Sequence, residues 1–255
     1  MSPILKKIKP KRGYAHIVYI TLNLLLPLIV FLLIKTSFVL PALFVILLSK
    51  WRMFAVRPRF WWANVRTNAI DITFGLSMLA FMIVYPNDWV RLAVASIWAL
   101  WLIFLKPKVS VLAVSMQAFL GFVAGLMAIF VMWPRMHLAV LVMSVGLLCF
   151  FAAHHFFYSF DEPHASLLSY LWGYFGAALM WILGHWLIFY WTVSQPALIL
   201  ISLSFILGTM YYLDHFDKLS ALVRRQLVFI AIVTVLIIWS ALVYFHWLGS
   251  SGIVV

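Results

Sequence analysis

Long apolar runs separated by short polar or basic segments set the pattern of this chain. The runs fall at about residues 17–34, 38–49, 69–85, 90–105, 109–133, 137–157, 163–191, 197–213 and 227–248. Most of them approach or exceed the ~20 residues that a helix needs to cross the hydrocarbon of a bilayer. Turn signals lie between them: Lys35-Thr36-Ser37, Pro86-Asn87-Asp88, Lys106-Pro107-Lys108 and Pro134-Arg135. The pattern predicts an all-α polytopic integral membrane bundle of about nine transmembrane helices. The second run is the exception. At about 12 residues it is short for a crossing, so it either continues into the basic segment that follows or is re-entrant. No long polar loop interrupts the series. The expected organisation is a basic cytoplasmic tail (1–16), a single transmembrane domain (17–248) and a short non-cytoplasmic tail (249–255).

Composition turns this pattern into a class. The 255 residues are 67% hydrophobic and 9% charged, against roughly 45–50% and 25% in soluble domains. Only a bilayer accepts so much apolar surface, and the expected location is an inner or plasma membrane of bacterial type. The first apolar run follows basic residues, as in a signal peptide. It is long, and Ser37 to Ala42 is a poor cleavage site, so it reads as a retained span. The lone Cys149 lies inside an apolar run and offers no disulfide framework.

The net charge of +12 would suggest nucleic acid in a soluble protein. Here it reads as membrane topology, with anionic headgroups of the bilayer as partner and no nucleic acid. With the N-terminus inside, 15 of the 18 Lys and Arg fall in inner segments. Three, Lys35, Arg91 and Arg135, fall outside. The asymmetry predicts N-in, C-out, and removing the second span would invert every later loop and destroy it. Residues 50–68 mix Arg and Trp. Arg52, Arg57, Arg59, Trp61 and Trp62 are the candidate lipid-headgroup set, with guanidiniums on phosphate and indoles at the interface. Gly121 and Gly125 form a GxxxG in span 5. Ser166, Ser169, Gly173, Gly176, Ala177, Met180 and Gly184 make a mainly small stripe in span 7. Both are candidate helix–helix contact faces.

The same partition leaves every ionisable group near an interface, with Asp71 about one turn into span 3. Ion- or proton-coupled carriers usually hold carboxylates near the midplane, so this reading counts against coupled transport. No lysine lies in spans 7–9, which removes a retinal Schiff base. Paired haem-ligating histidines are possible at either interface, but nothing fixes their spacing. HExxH, GxSxG, a P-loop and the repeated histidine boxes of membrane di-iron enzymes are absent.

Polar chemistry collects in two inner loops. One carries His154, His155, Asp161, Glu162 and His164, the other Asp214, His215 and Asp217. Imidazole with carboxylate suits a divalent metal, and the candidate ligands are His154, His155, His164, Asp214 and His215. Asp161, Glu162 and His164 are the candidate acid–base groups. Against this stands helix capping. Asp161 and Glu162 suit the start of span 7, Pro163 suits its first position, and Ser159 with Glu162 fits a capping box. Capping accounts for the acids but not for three histidines in eleven residues. Two functions follow: a membrane-embedded enzyme, with a divalent metal as an open possibility, acting on a lipid or amphiphile at the cytoplasmic face; or a non-catalytic scaffold, subunit or carrier without a mid-membrane carboxylate.

Overall fold

The computed structural model describes residues 13–250 apart from 135 and 191. The basic residues Lys6, Lys7, Lys9, Lys11 and Arg12, together with Arg135 and residues 251–255, lie outside the described residues. So do the side chains of His16, Arg52 and His246. Among the described residues there are nine α-helices. Eight are long and apolar enough to cross a membrane, with one two-residue pair of strands between the seventh and eighth. The protein is an all-α polytopic membrane bundle. Large apolar side chains such as Leu22, Leu28, Trp89, Phe229 and Ile232 are exposed on its helices, as lipid-facing surfaces require. Where the sequence reads as a single transmembrane domain, the chain gathers into two compact units, 1–113 and 114–255.

The first unit holds α1 (Tyr14–Lys35), α2 (Val39–Leu48), α3 (Trp61–Val84) and α4 (Asp88–Leu100), the last continued by a π-helical turn, Trp101–Leu105. Its interior is built from Val30, Ile46, Ile70, Phe74, Met82, Trp98 and Leu102. Lys35 and Asp88 pair at 3.0 Å, both half exposed, and Arg91 Nε donates to the Met82 carbonyl at 2.9 Å. These contacts close one end of the unit.

Two sequence expectations change here. The third span was expected from Ala69, but α3 begins at Trp61. Pro58 opens a 3-10 turn that runs straight into it. The polar residues do not interrupt the helix because they bond back to its own carbonyls: Thr67 Oγ1 to Ala63 and Asn68 Nδ2 to Asn64, each 2.9 Å. Asp71 therefore sits ten residues, ~15 Å, from the start of α3 and near its middle. It is not one turn from the end.

The short second helix has only 10 residues, ~15 Å. It stops at the level of Asp71, where Lys50 meets that carboxylate. The chain then travels in tight turns to the level of Trp61. Met53 accepts from Asn64 Nδ2 at 3.1 Å and Val56 from Trp61 Nε1 at 3.0 Å. The amides of Lys50, Met53 and Phe54 bond to carbonyls three residues back, so the irregular backbone is satisfied internally.

The second unit contains nearly all of α5 (Val111–Met132), then α6 (Leu138–Tyr158), α7 (Ala165–Leu183), α8 (Gln195–His215) and α9 (Ala221–Ser250). Span 7 was expected to run to residue 191, but α7 ends at Leu183. The aromatic and β-branched residues that follow pair as Phe189↔Ser194 and Tyr190↔Val193. Ser194 Oγ then caps α8 by accepting from the Ala197 amide at 3.3 Å. Gly121 and Gly125 are buried in α5.

Helices α6 and α7 approach closely through glycine. A Cβ on Gly173 would lie 3.0 Å from Phe150 Cβ and 3.1 Å from the Gly146 carbonyl oxygen. Gly173→Ala must push two backbones apart, and it is expected to cost about 1–3 kcal/mol. Gly208 lies no nearer than 3.8 Å to Phe156. Gly208→Ala should be neutral or gain up to ~1 kcal/mol of helix propensity. Denaturation of the two purified variants in detergent checks the contrast.

Candidate functional site

The ends of α6 and α8 build the first site. Both helices terminate on an aspartate in the left-handed region, Asp161 at φ 53° and Asp217 at φ 54°. Aspartate tolerates this conformation better than most side chains. After Asp161 the chain turns once more, and α7 starts only at Ala165. Its N-cap is His164, which makes no side-chain capping bond. Ser159 Oγ donates to the Phe156 carbonyl at 2.7 Å. Side-chain capping by Asp161 and Glu162 is therefore not what starts α7: Asp161 serves the backbone turn, and Glu162 contributes only its carbonyl, which accepts from the Ala165 amide at 3.1 Å. Asp161→Gly should change stability by less than about 0.5 kcal/mol. Asp161→Val should cost about 1–2 kcal/mol through the positive φ. Thermal unfolding of both variants tests this.

Glu162 instead reaches the other loop. Tyr211 Oη donates to Glu162 Oε2 at 2.5 Å, joining residues 49 positions apart. The bond is held by an aromatic cluster. The Tyr211 ring lies 5.1 Å from both Phe157 and Phe160 and 5.8 Å from Phe156. His215, one turn beyond Tyr211, packs edge-on against Phe160 at 4.9 Å. Aromatic faces and edges packed this way fix the tyrosine ring more firmly than apolar area alone. The arrangement places a carboxylate, a phenol and an imidazole where the two loops meet.

The remaining predicted residues do not gather there. His154 and His155 are consecutive on α6 and so point ~100° apart. His154 is buried between Phe150 and Tyr158 of its own helix. His155 Nε2 lies 3.4 Å from Gln117 Oε1 of α5. His164, Asp161, Asp214 and His215 are exposed. Among the described residues no three His, Cys, Asp or Glu side chains come together to hold a metal ion. The ligand set His154, His155, His164, Asp214 and His215 is thus dispersed. In the basic segment, Arg57, Arg59, Trp61 and Trp62 are all exposed, and the Arg59 guanidinium lies 4.6 Å from the Phe60 ring centre.

A second cluster escaped the sequence. In the first unit, Asp71 Oδ2 binds the ammonium groups of Lys50 and Lys106, the latter at 2.8 Å. Trp101 Nε1 donates to Asp71 Oδ1 at 3.3 Å, and its ring stacks on Phe74 at 3.8 Å. The side chains of Lys50 and Asp71 are 12% and 13% exposed, that of Lys106 37%. Burial pulls the Lys50 ammonium below its ordinary range despite Asp71, and the Lys106 charge adds to the fall. Burial opposes the Lys106 charge as well, but Asp71 outweighs it and holds Lys106 above its ordinary value. The available signal was the spacing Asn64, Asn68, Asp71, which is one helical face. It becomes visible once α3 is started at Trp61. No protein-family model, curated protein or solved structure matches this chain.

Proposed function

We propose that the protein is a membrane-embedded enzyme acting on a lipid or other amphiphile at the cytoplasmic face, with Glu162 and Tyr211 as its acid–base pair. The observation that carries this reading is the Tyr211–Glu162 hydrogen bond linking the two polar loops. The Glu162 carboxylate accepts a proton from a substrate hydroxyl or from water, and the adjacent phenol gives its own proton to the leaving oxygen of the product. The carboxyl then passes its proton along the shared hydrogen bond to the phenolate, which restores the pair. His215 stands one helical turn from Tyr211 and packs edge-on against Phe160 at 4.9 Å, which brings an imidazole beside the pair. The positive-inside count puts this end of α6 and α8 at the cytoplasmic headgroup layer, where a polar headgroup meets an acid–base pair while its chains stay in hydrocarbon. The exposed Arg57, Arg59, Trp61 and Trp62 suit contact with anionic headgroups. Asp161 and His164 have no part in the acid–base step in this reading, since Glu162 is the acidic side chain of this loop that bonds to Tyr211.

The test compares membrane lipids of cells producing the wild type, Glu162→Gln or neither. One lipid class should change with the wild type only. An unchanged profile, or the same change with Glu162→Gln, would remove the enzymatic reading. A carrier is the second reading, and Asp71 favours it: its carboxylate is 13% exposed and held between two lysines, as the buried charges of coupled carriers are.

A further inference from the structure

We infer that Lys50 and Lys106 form a binding site for one anionic phospholipid, which they grip by its phosphodiester. This goes beyond the proposed activity and concerns other residues. The two ammonium groups share one carboxylate oxygen, Asp71 Oδ2, so they sit side by side. Two cations against one anion leave an uncompensated charge in a largely desolvated place. Such a charge is costly within a membrane unless it is paired.

The described part of the first unit does not supply the missing anion. Unit 1 has two carboxylates, Asp71 and Asp88. Asp88 is engaged with Lys35 and Arg91, at the closed end of the unit described above. An ammonium carries three donors, and Asp71 takes one from each lysine. Lys106 remains 37% exposed, immediately after the last residue of α4 and its π-helical turn, Leu105. A phosphate approaching there meets two preset ammonium groups and completes a two-by-two ion cluster. The Asp71–Trp101 bond and the Phe74 stack hold Asp71, and through it both lysines, in place. A phospholipid is favoured over a free anion because the position adjoins exposed apolar side chains, Leu100 and Phe104, along which acyl chains lie.

Native mass spectrometry of the full-length protein, delipidated in detergent, tests this with phosphatidylglycerol, phosphatidylcholine and inorganic phosphate as probes. The wild type should retain one phosphatidylglycerol that phosphatidylcholine does not replace and millimolar phosphate does not displace. Lys106→Met leaves a closed Lys50–Asp71 pair and should weaken that binding at least tenfold, whereas Lys106→Arg should keep it. Arg57→Gln with Arg59→Gln should change it less than threefold. If Lys106→Met gives no folded protein, Lys50→Met replaces it with the same expectation. Undiminished binding in the lysine variant overturns the inference. An equal loss in the arginine variant assigns the lipid to the general basic surface and also overturns it. Displacement by phosphate makes the site one for a free anion and overturns the lipid assignment.

Discussion

Asp71→Asn should cost the folded protein about 3–5 kcal/mol, the usual penalty for removing one partner of a buried ion cluster. The substitution keeps the size of the side chain and an acceptor for Trp101 Nε1. It removes the charge that holds Lys50 and Lys106 together. What remains is two adjacent ammonium groups, of which Lys50 is 12% exposed. Removing one of them as well should relieve much of the damage, so Asp71→Asn with Lys50→Met should recover more than half of the loss. The exposed pair Lys35–Asp88 offers the contrast. Both partners are half in solvent, and Lys35→Met should cost less than about 1 kcal/mol. Denaturant titrations in one detergent measure all three. Equal effects of Asp71→Asn and Lys35→Met would show that the Asp71 cluster carries no special energy.

The apolar runs were enough to read the fold class, because a bilayer-spanning helix leaves an unambiguous compositional mark. Helix ends were less legible. The segment Trp61 to Asn68 looks like a headgroup loop because it is rich in Trp, Arg and Asn. It stays helical because Thr67 and Asn68 bond to the preceding turn and Asn64 to the Met53 carbonyl, which composition does not reveal. That misplacement put Asp71 near the start of its helix, away from the face it shares with Asn64 and Asn68, and hid the cluster. Lys50 and Lys106 lie 21 residues before and 35 after Asp71, so only the packing of α2, α3 and α4 unites them.

For the two polar loops, the sequence offered Asp161 and Glu162 both as acid–base candidates and as capping residues. The left-handed turn at Asp161 shifts the start of α7 and frees Glu162 for Tyr211. Tyr211 itself was unremarked because it lies inside an apolar run, one helical turn before His215. The histidines that seemed to demand a metal have other surroundings. His154 lies among aromatic rings and His155 beside Gln117.

Glu162→Gln carries the second large expected effect. Glutamine keeps an oxygen that accepts from Tyr211 Oη, so the loops stay joined and the fold is retained. It cannot take up a proton at neutral pH. Loss of a positioned general base typically lowers turnover by about 10²–10⁴-fold. Tyr211→Phe keeps the carboxylate as base and loses the phenol that orients it and returns the proton, a delivery water takes over, so its loss should be the smaller of the two. The most direct measurement reconstitutes purified protein in vesicles of total host lipid and follows the lipid composition with time by mass spectrometry. The wild type should consume one lipid class and release its product, Tyr211→Phe should do so more slowly, and Glu162→Gln should be slower still by at least a hundredfold. Identical time courses for the wild type and Glu162→Gln, or no lipid consumed by either, would contradict the assignment of Glu162 and Tyr211 as an acid–base pair.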